Sequence, residues 1–176
     1  MSEWHSIWVQ PAADDLAFLD AIVHRLAGRF GGKVFRPHLT LVEDMQRPAA
    51  DLARILTTRF DGEAAFALPI AEVSGLPLFF RSLFAAFAPI GPILELKQRA
   101  IESFECGRLD GFMPHISLAY GAPDDQKADA IAELRETLAG RVIHFDAIAV
   151  VASAQSIPVE EWKIVHSHPL VPLATP

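Results

Sequence analysis

The sequence predicts an α+β fold with largely antiparallel sheets, built by a two-fold internal duplication. Three observations carry this. A short motif occurs twice, as Pro37-His38-Leu39-Thr40-Leu41 and as Pro114-His115-Ile116-Ser117-Leu118, with the histidines 77 positions apart. Each copy reads as a motif strand followed by a helix and two strands, which is one duplication and not a solenoid array. Strands and helices are mixed, and short loops join the later strands, as in α+β proteins.

Taken in order, Ser6 to Val9 reads as a first strand. Asp14 or Asp15 is placed to cap a helix carrying Leu16, Leu19, Ile22, Val23 and Leu26 at helical spacing. Gly28 and the Gly31-Gly32 pair are its stop signals. A strand from Phe35 to Val42 holds the first motif. Pro48 stands at the first turn of a helix through Leu52, Ile55 and Leu56. Alternation from Ala65 to Val73 gives another strand, and the apolar run Leu78 to Ala88 a longer one in which Arg81 stands out. Pro92 opens a helix to about Glu105, and His115 to Tyr120 forms the second motif strand. Asp124 or Asp125 caps a helix with Ala130, Ile131, Leu134 and Leu138 on its buried stripe, closed by Gly140. Strands from Arg141 to Val151 and from Glu160 to His166 complete the pattern. The Pro-rich tail from Pro169 to Pro176 reads as loosely ordered.

Composition narrows the function. The chain has 176 residues, 51% of them hydrophobic, and reads as one domain (1–176) of two tightly joined lobes. The net charge of −7 and the pI of about 5.4 argue against a polyanion binder, so long nucleic acid is not an expected partner. A phosphate-bearing substrate would be small and captured locally. The single cysteine, Cys106, excludes an internal disulfide and a Cys-rich zinc site. The opening Met1-Ser2-Glu3-Trp4-His5 lacks the basic stretch and apolar run of a signal peptide, so none is expected. The most apolar region, Leu68 to Leu94, is interrupted by Glu72, Arg81, glycines and prolines, so no membrane span is expected. The expectation is a cytoplasmic monomer.

Strand geometry turns the motifs into chemistry. Residues two apart share a face, so His38 and Thr40 point one way, and Leu39 and Leu41 the other. The same holds for His115 and Ser117 against Ile116 and Leu118. Facing each other across a cleft, the two devices supply two imidazoles and two hydroxyls. Imidazole titrates near neutral pH, so one ring can take a proton from water while the other protonates a leaving oxygen. Thr40 and Ser117 would donate hydrogen bonds to the non-bridging oxygens of a cyclic phosphodiester. The scheme calls for no metal and no cofactor.

The paired His-x-Thr/Ser motifs resemble the two-histidine (2H) phosphoesterase superfamily. Within it, P-H-L-T-L and P-H-I-S-L-A-Y are most similar to the plant and yeast cyclic nucleotide phosphodiesterases. So are the opening His5-Ser6-Ile7-Trp8 with Pro11, and Phe30-Gly31-Gly32 leading into Phe35-Arg36-Pro37-His38. The resemblance implies a bilobal, pseudo-two-fold fold with helices on the outer faces and the motifs in a central cleft. It also implies hydrolysis of nucleoside 2′,3′-cyclic phosphates or ADP-ribose 1″,2″-cyclic phosphate, with His115 as base and His38 as acid. The nearly symmetric motifs do not by themselves fix that order. The family pattern has a tyrosine three positions after the second motif hydroxyl, matching Tyr120 as a further phosphate-binding residue. Strand parity puts Tyr120 opposite His115 and Ser117, so its participation requires a bulge or the strand end. The RNA-end branch usually follows its first motif with an aromatic and a glycine, where this chain has Val42-Glu43-Asp44.

Other residues admit two readings each. Trp8, Phe80 and Trp162 stack on a nucleobase or serve as core aromatics. Arg81 reaches a phosphate, or it sits at an edge or is paired with an acid. Arg36 and Lys33 supply local positive charge or belong to a solvated loop. His166 and His168 lack a third ligand at recognisable spacing and read as strand-end histidines, and His5, His24 and His144 as structural or exposed. Glu43 and Asp44, adjacent on a strand, point to opposite faces and do not form a joint acid/base pair. Two rival functions remain: processing or sealing of RNA 2′,3′-cyclic phosphate ends, and a nucleotide-binding module without turnover.

Overall fold

The computed structural model describes residues 4–173. Within them, eleven helices and strands follow in the order β1 (Trp4–Pro11), α1 (Ala13–Phe30), β2 (Leu39–Gln46), α2 (Ala49–Arg59), β3 (Phe66–Ser74), β4 (Leu83–Phe87), α3 (Pro92–Phe104), β5 (His115–Ala119), α4 (Lys127–Leu138), β6 (Val142–Ala152) and β7 (Lys163–Pro169). The fold is α+β, with every named strand pairing antiparallel. Six strands follow one another in a ring, β1-β2-β5-β4-β3-β6, which the β6–β1 pairing closes; β7 adds to β6 from outside it. At the β2–β5 seam, Leu39 stands opposite Ile116.

The duplication runs through this ring with a different phase from the one the sequence suggests. The repeating unit is strand, helix, motif strand, helix, strand: β1-α1-β2-α2-β3, then β4-α3-β5-α4-β6. The halves are interlocked. Helix α1 packs on β5 and α2 on β6 and β7, while α3 packs on β2 and α4 on β3. Each half's helices therefore cover strands of the other half. The apolar undersides of the motifs feed the core so formed: Leu39, Leu41, Ile116 and Leu118 are all fully buried. Burying such side chains contributes about 1.5–3 kcal/mol each, which anchors both motif strands.

Several local expectations change. Asp15 does not cap α1, whose N-cap is Ala12 without a side-chain bond. Its carboxylate instead accepts hydrogen bonds from the backbone N and the Nδ1 of His144 on β6, at 2.8 and 2.9 Å. Gly28 lies inside α1, and Gly31 ends it in the left-handed conformation (φ 67°) that glycine adopts most readily. Residues 35–38 lie before the ladder, which begins at Leu39; Pro37 has no N–H to give it. The run Leu78 to Ala88 divides into a 3₁₀ turn, Phe79–Arg81, and the shorter strand β4. Likewise Val159–Glu161 is a 3₁₀ turn ahead of β7. Helix α4 starts behind Gln126, not behind Asp124 or Asp125, and Asp124 pairs with Lys127. The tail is ordered as far as it is described: Leu170 is buried and Val171 bridges to Ala64, while residues 174–176 lie outside the described residues. Among the described residues, no helix is long and apolar enough to cross a membrane.

Candidate active site

The polar faces of β2 and β5 open on one cleft of about 350 Å³, and His38, Thr40, His115, Ser117 and Tyr120 all line it. The sequence-derived set is thus brought together in one place. Cross-strand neighbours define the shared face: Trp8 stands opposite Thr40, Phe84 opposite Ser117 and Ala86 opposite His115.

Both imidazoles are held by the same device. His38 Nδ1 lies 2.7 Å from the Arg36 carbonyl, and His115 Nδ1 lies 2.8 Å from the Met113 carbonyl. A carbonyl can only accept, so each Nδ1 carries its proton and each neutral ring keeps Nε2 as a lone-pair base. In both cases the carbonyl belongs to the residue two positions earlier, with the motif proline between.

The two rings differ in surroundings. His38 is buried and lies flat against Trp8, with centroids 3.4 Å apart and an interplanar angle of 7°. Burial, above all, pushes its pKa from 6.5 down to about 3, and the nearby His115 adds to this. His115 meets Phe84 edge-on at 5.3 Å. Its pKa is also lowered, first by burial and then by the charge of Arg81, against the pull of the Met113 carbonyl. Because His115 disfavours a charge on His38, the pair holds one proton more readily than two.

The hydroxyls differ as well. Ser117 Oγ donates to the Phe80 carbonyl at 2.9 Å, so its proton is engaged within the protein. The Thr40 side chain, half-buried, makes no hydrogen bond among the described residues. Strand β5 ends at Ala119, and the bend that follows turns Tyr120 into the cleft, the strand-end exception its parity required. Burial raises the pKa of its phenol, partly offset by Ser117, so the hydroxyl keeps its proton.

An aromatic wall stands beside His38. Trp162, Phe80 and Tyr120 join Trp8 in lining the cleft. Phe80 stacks near-parallel with Trp162 at 5.9 Å, and Tyr120 stacks on Phe35 at 3.8 Å. These rings are both core-forming and cleft-facing, so the two sequence readings are not exclusive.

Glu43 and Asp44 depart from the parity argument. Between the pairs His5–Met45 and Ile7–Val42 the register shifts by one residue, a bulge in β2 that brings both carboxylates to the cleft. Both are already engaged, Glu43 with Lys97 Nζ and Asp44 with the backbone N of Gln155. Lys33 pairs with Glu160, whereas Arg36 donates to the neutral Gln10 side chain and keeps its charge, which helps to lower the His38 pKa. His166 and His168 stand opposite the core residues Val150 and Ile148, and His168 Nε2 reaches the Phe60 carbonyl. Among the described residues no three His, Cys, Asp or Glu side chains are grouped as metal ligands. Sequence reasoning missed Arg108 and Asp110, which line the cleft from the loop ahead of β5. The hint it offered was a pair of charged residues between two glycines just before the second motif.

A ring of antiparallel strands that presents paired His-x-Thr/Ser motifs in one cleft defines a two-histidine phosphoesterase scaffold. The chain belongs to the 2′-5′ RNA ligase superfamily, whose family model matches residues 11–156. It is 23% identical to the cyclic phosphodiesterase of Arabidopsis thaliana over 134 residues, 76% of this chain and 74% of that protein. The fold is shared with LigT of E. coli, at a TM-score of 0.62 and 14% identity over 96% of this chain and 98% of LigT. It is shared also with TT0787 of Thermus thermophilus, at a TM-score of 0.61 and 18% identity over 95% and 97% of the two chains.

Proposed function

We propose that the protein hydrolyses a small cyclic phosphodiester, a nucleoside 2′,3′-cyclic phosphate or ADP-ribose 1″,2″-cyclic phosphate, by metal-independent acid/base catalysis on His38 and His115. One observation carries the reading. Two histidines are locked by their Nδ1–H in the same tautomer, each with a hydroxyl two residues on, in one cleft. The cyclic phosphodiesterase of A. thaliana supports the reaction class.

The neutral ring takes a proton from water at Nε2 as the water oxygen bonds to phosphorus. The protonated ring gives its Nε2–H to the ring oxygen as the P–O bond breaks, leaving a monophosphate. The Thr40 hydroxyl donates to a non-bridging oxygen directly. Ser117 joins once its proton leaves the Phe80 carbonyl. The phosphodiester's own negative charge draws a proton onto the pair, which burial of the two rings otherwise resists.

The order of the two histidines has two readings. The family resemblance makes His115 the base and His38 the acid. The surroundings of the two rings favour the reverse, because His38 is buried more completely against Trp8 and resists protonation the more strongly.

The test is hydrolysis of adenosine 2′,3′-cyclic phosphate in EDTA, with products separated, for the wild type, His38→Ala and His115→Ala. The expected result is EDTA-resistant turnover that falls about 10²–10⁴-fold in each variant. Near-wild-type turnover in either variant would overturn the paired scheme. In a pH–rate profile the variant lacking the base loses its acid limb, which fixes the order.

A further inference from the structure

Lys97 is a buried charge that the acid/base scheme leaves idle. It stands on the inward stripe of α3 with Ile93, Leu96, Ala100 and Phe104, and is 1% exposed. A lysine is almost never buried so fully unless its ammonium is paired. Here Nζ donates to the Leu41 carbonyl at 2.6 Å and lies 3.6 Å from the Glu43 carboxylate. The Phe112 ring stands 5.0 Å away on a further side. Gly107, in the left-handed region at φ 86°, leaves room for the ion pair: a Cβ there would stand 3.3 Å from Nζ and 3.6 Å from the Glu43 Oε2.

The bond to Leu41 falls at a particular point of the first motif strand. Trp8 stands opposite Thr40, and its neighbour Ile7 opposite Val42. Leu41 is therefore an extra residue with no counterpart in β1, a bulge one position past Thr40. The bulge belongs to the duplication: Phe84 stands opposite Ser117 and Leu83 opposite Ala119, which leaves Leu118, 77 positions on, as the extra residue of β5. The device that holds the bulge is not duplicated. The position 77 residues before Lys97 is Asp20, which pairs with His24 on the surface of α1. Beside the β5 bulge a neutral group, the Ser82 hydroxyl, bonds the Ala119 carbonyl instead.

A bulge re-aims the side chains next to it, and the two motif hydroxyls depend on this unequally. Ser117 is also fixed by its own bond to the Phe80 carbonyl. Thr40 has no such bond among the described residues. Its β-branched side chain is stiff about χ1, so the backbone aims its hydroxyl.

We propose that Lys97 is a positioning residue for Thr40: reaching across from the second half of the chain, it locks the Leu41 bulge so that the Thr40 hydroxyl points at the phosphate. Lys97 is not among the residues that line the cleft, and it acts from behind the strand. The inference rests on the reading in which Thr40 donates to a non-bridging oxygen of a phosphodiester.

The experiment is a pair of double-mutant cycles in the full chain. Lys97→Met keeps the apolar stem and removes the ammonium. It is combined with Thr40→Ala and, separately, with Ser117→Ala, and kcat and KM are measured for adenosine 2′,3′-cyclic phosphate. The expected result is a rise in KM of roughly tenfold in Lys97→Met, no larger than that in Thr40→Ala, since a small misplacement costs up to about 10²-fold. The same rise should recur on the Ser117→Ala background and vanish on the Thr40→Ala background. A general loosening of the fold, or a Glu43 carboxylate released toward the substrate, would weaken binding equally on both backgrounds, and that result overturns the proposal. So does an unchanged KM in folded Lys97→Met. Circular dichroism identifies the folded variants. If Lys97→Met does not fold, Lys97→Gln, whose amide nitrogen stands one bond short of the ammonium, takes its place in the same cycles. A wild type that hydrolyses no cyclic phosphodiester sinks the proposed reaction by itself, and calorimetric binding of inorganic phosphate then reads the cycles without turnover. Weaker phosphate binding in Lys97→Met that disappears on the Thr40→Ala background upholds the positioning role, and any other pattern overturns it.

Discussion

At the residue scale, His38 ties the site to the stability of the fold. Its folded pKa of about 3 lies below the ordinary 6.5, so between these values the unfolded chain binds a proton that the folded chain does not. Stability is therefore fully present above about pH 6.5 and declines as pH falls toward 3. Urea unfolding from pH 7 to 4 should show that decline in the wild type and a shallower one in His38→Asn. The two hydroxyls should separate as well. Ser117→Ala leaves the Phe80 carbonyl without its donor and should cost about 1–3 kcal/mol in stability as well as raising KM. Thr40→Ala breaks no hydrogen bond among the described residues, so it should raise KM with little change in Tm. Denaturation and steady-state kinetics on the same preparations check both. His38, Thr40, His115 and Ser117 are legible from the sequence because period-2 geometry makes a shared face a simple count. The Trp8 stack under His38 is not, since a cross-strand register is needed to see which rings meet.

At the scale of elements, the sequence is informative where a pattern repeats and weak where a chain end is decided by tertiary contacts. The buried stripes of α1, α2 and α4 and the stop at Gly31 follow from spacing and backbone freedom alone. Asp15 reads as a cap because it precedes an apolar run, but its carboxylate serves β6 instead. The β2 bulge is invisible too, and it alone brings Glu43 and Asp44 to the same side. The segment between β3 and β4 reads as a strand from its apolar composition, yet closes as a 3₁₀ turn. Gly75 explains how tightly: a Cβ there would stand 2.3 Å from the Ser82 carbonyl oxygen. Gly75→Ala should therefore displace the turn that carries Phe80 and Arg81, costing about 1–3 kcal/mol in a denaturation series and weakening binding of nucleotide products.

At the scale of the whole molecule, the interlocked halves imply that neither folds alone. Each half without its partner would expose the strand faces that the other's helices cover. Residues 1–77 and 78–176 expressed separately should lack cooperative unfolding by circular dichroism, and together should recover it. Asp15 is one of the ties between the halves. Burial alone would raise its pKa, but hydrogen bonds from His144 and the charges of His144 and Arg141 outweigh burial and hold it below 3.8. Its contribution is present above that value and is lost as pH falls below it, so Asp15→Asn should be less stable at pH 6 and flatter in the acid range. In the proposed mechanism, the repeat would also govern how the proton is shared between His38 and His115. A single proton on two imidazoles has two microstates, and in a catalytic cycle only one is productive. Two identical halves would populate them equally and leave half the molecules in the idle arrangement at any instant. The halves are not identical: an indole lies under one ring and a guanidinium near the other. A free-energy difference of about 1.4 kcal/mol between the microstates would place some nine molecules in ten in one arrangement.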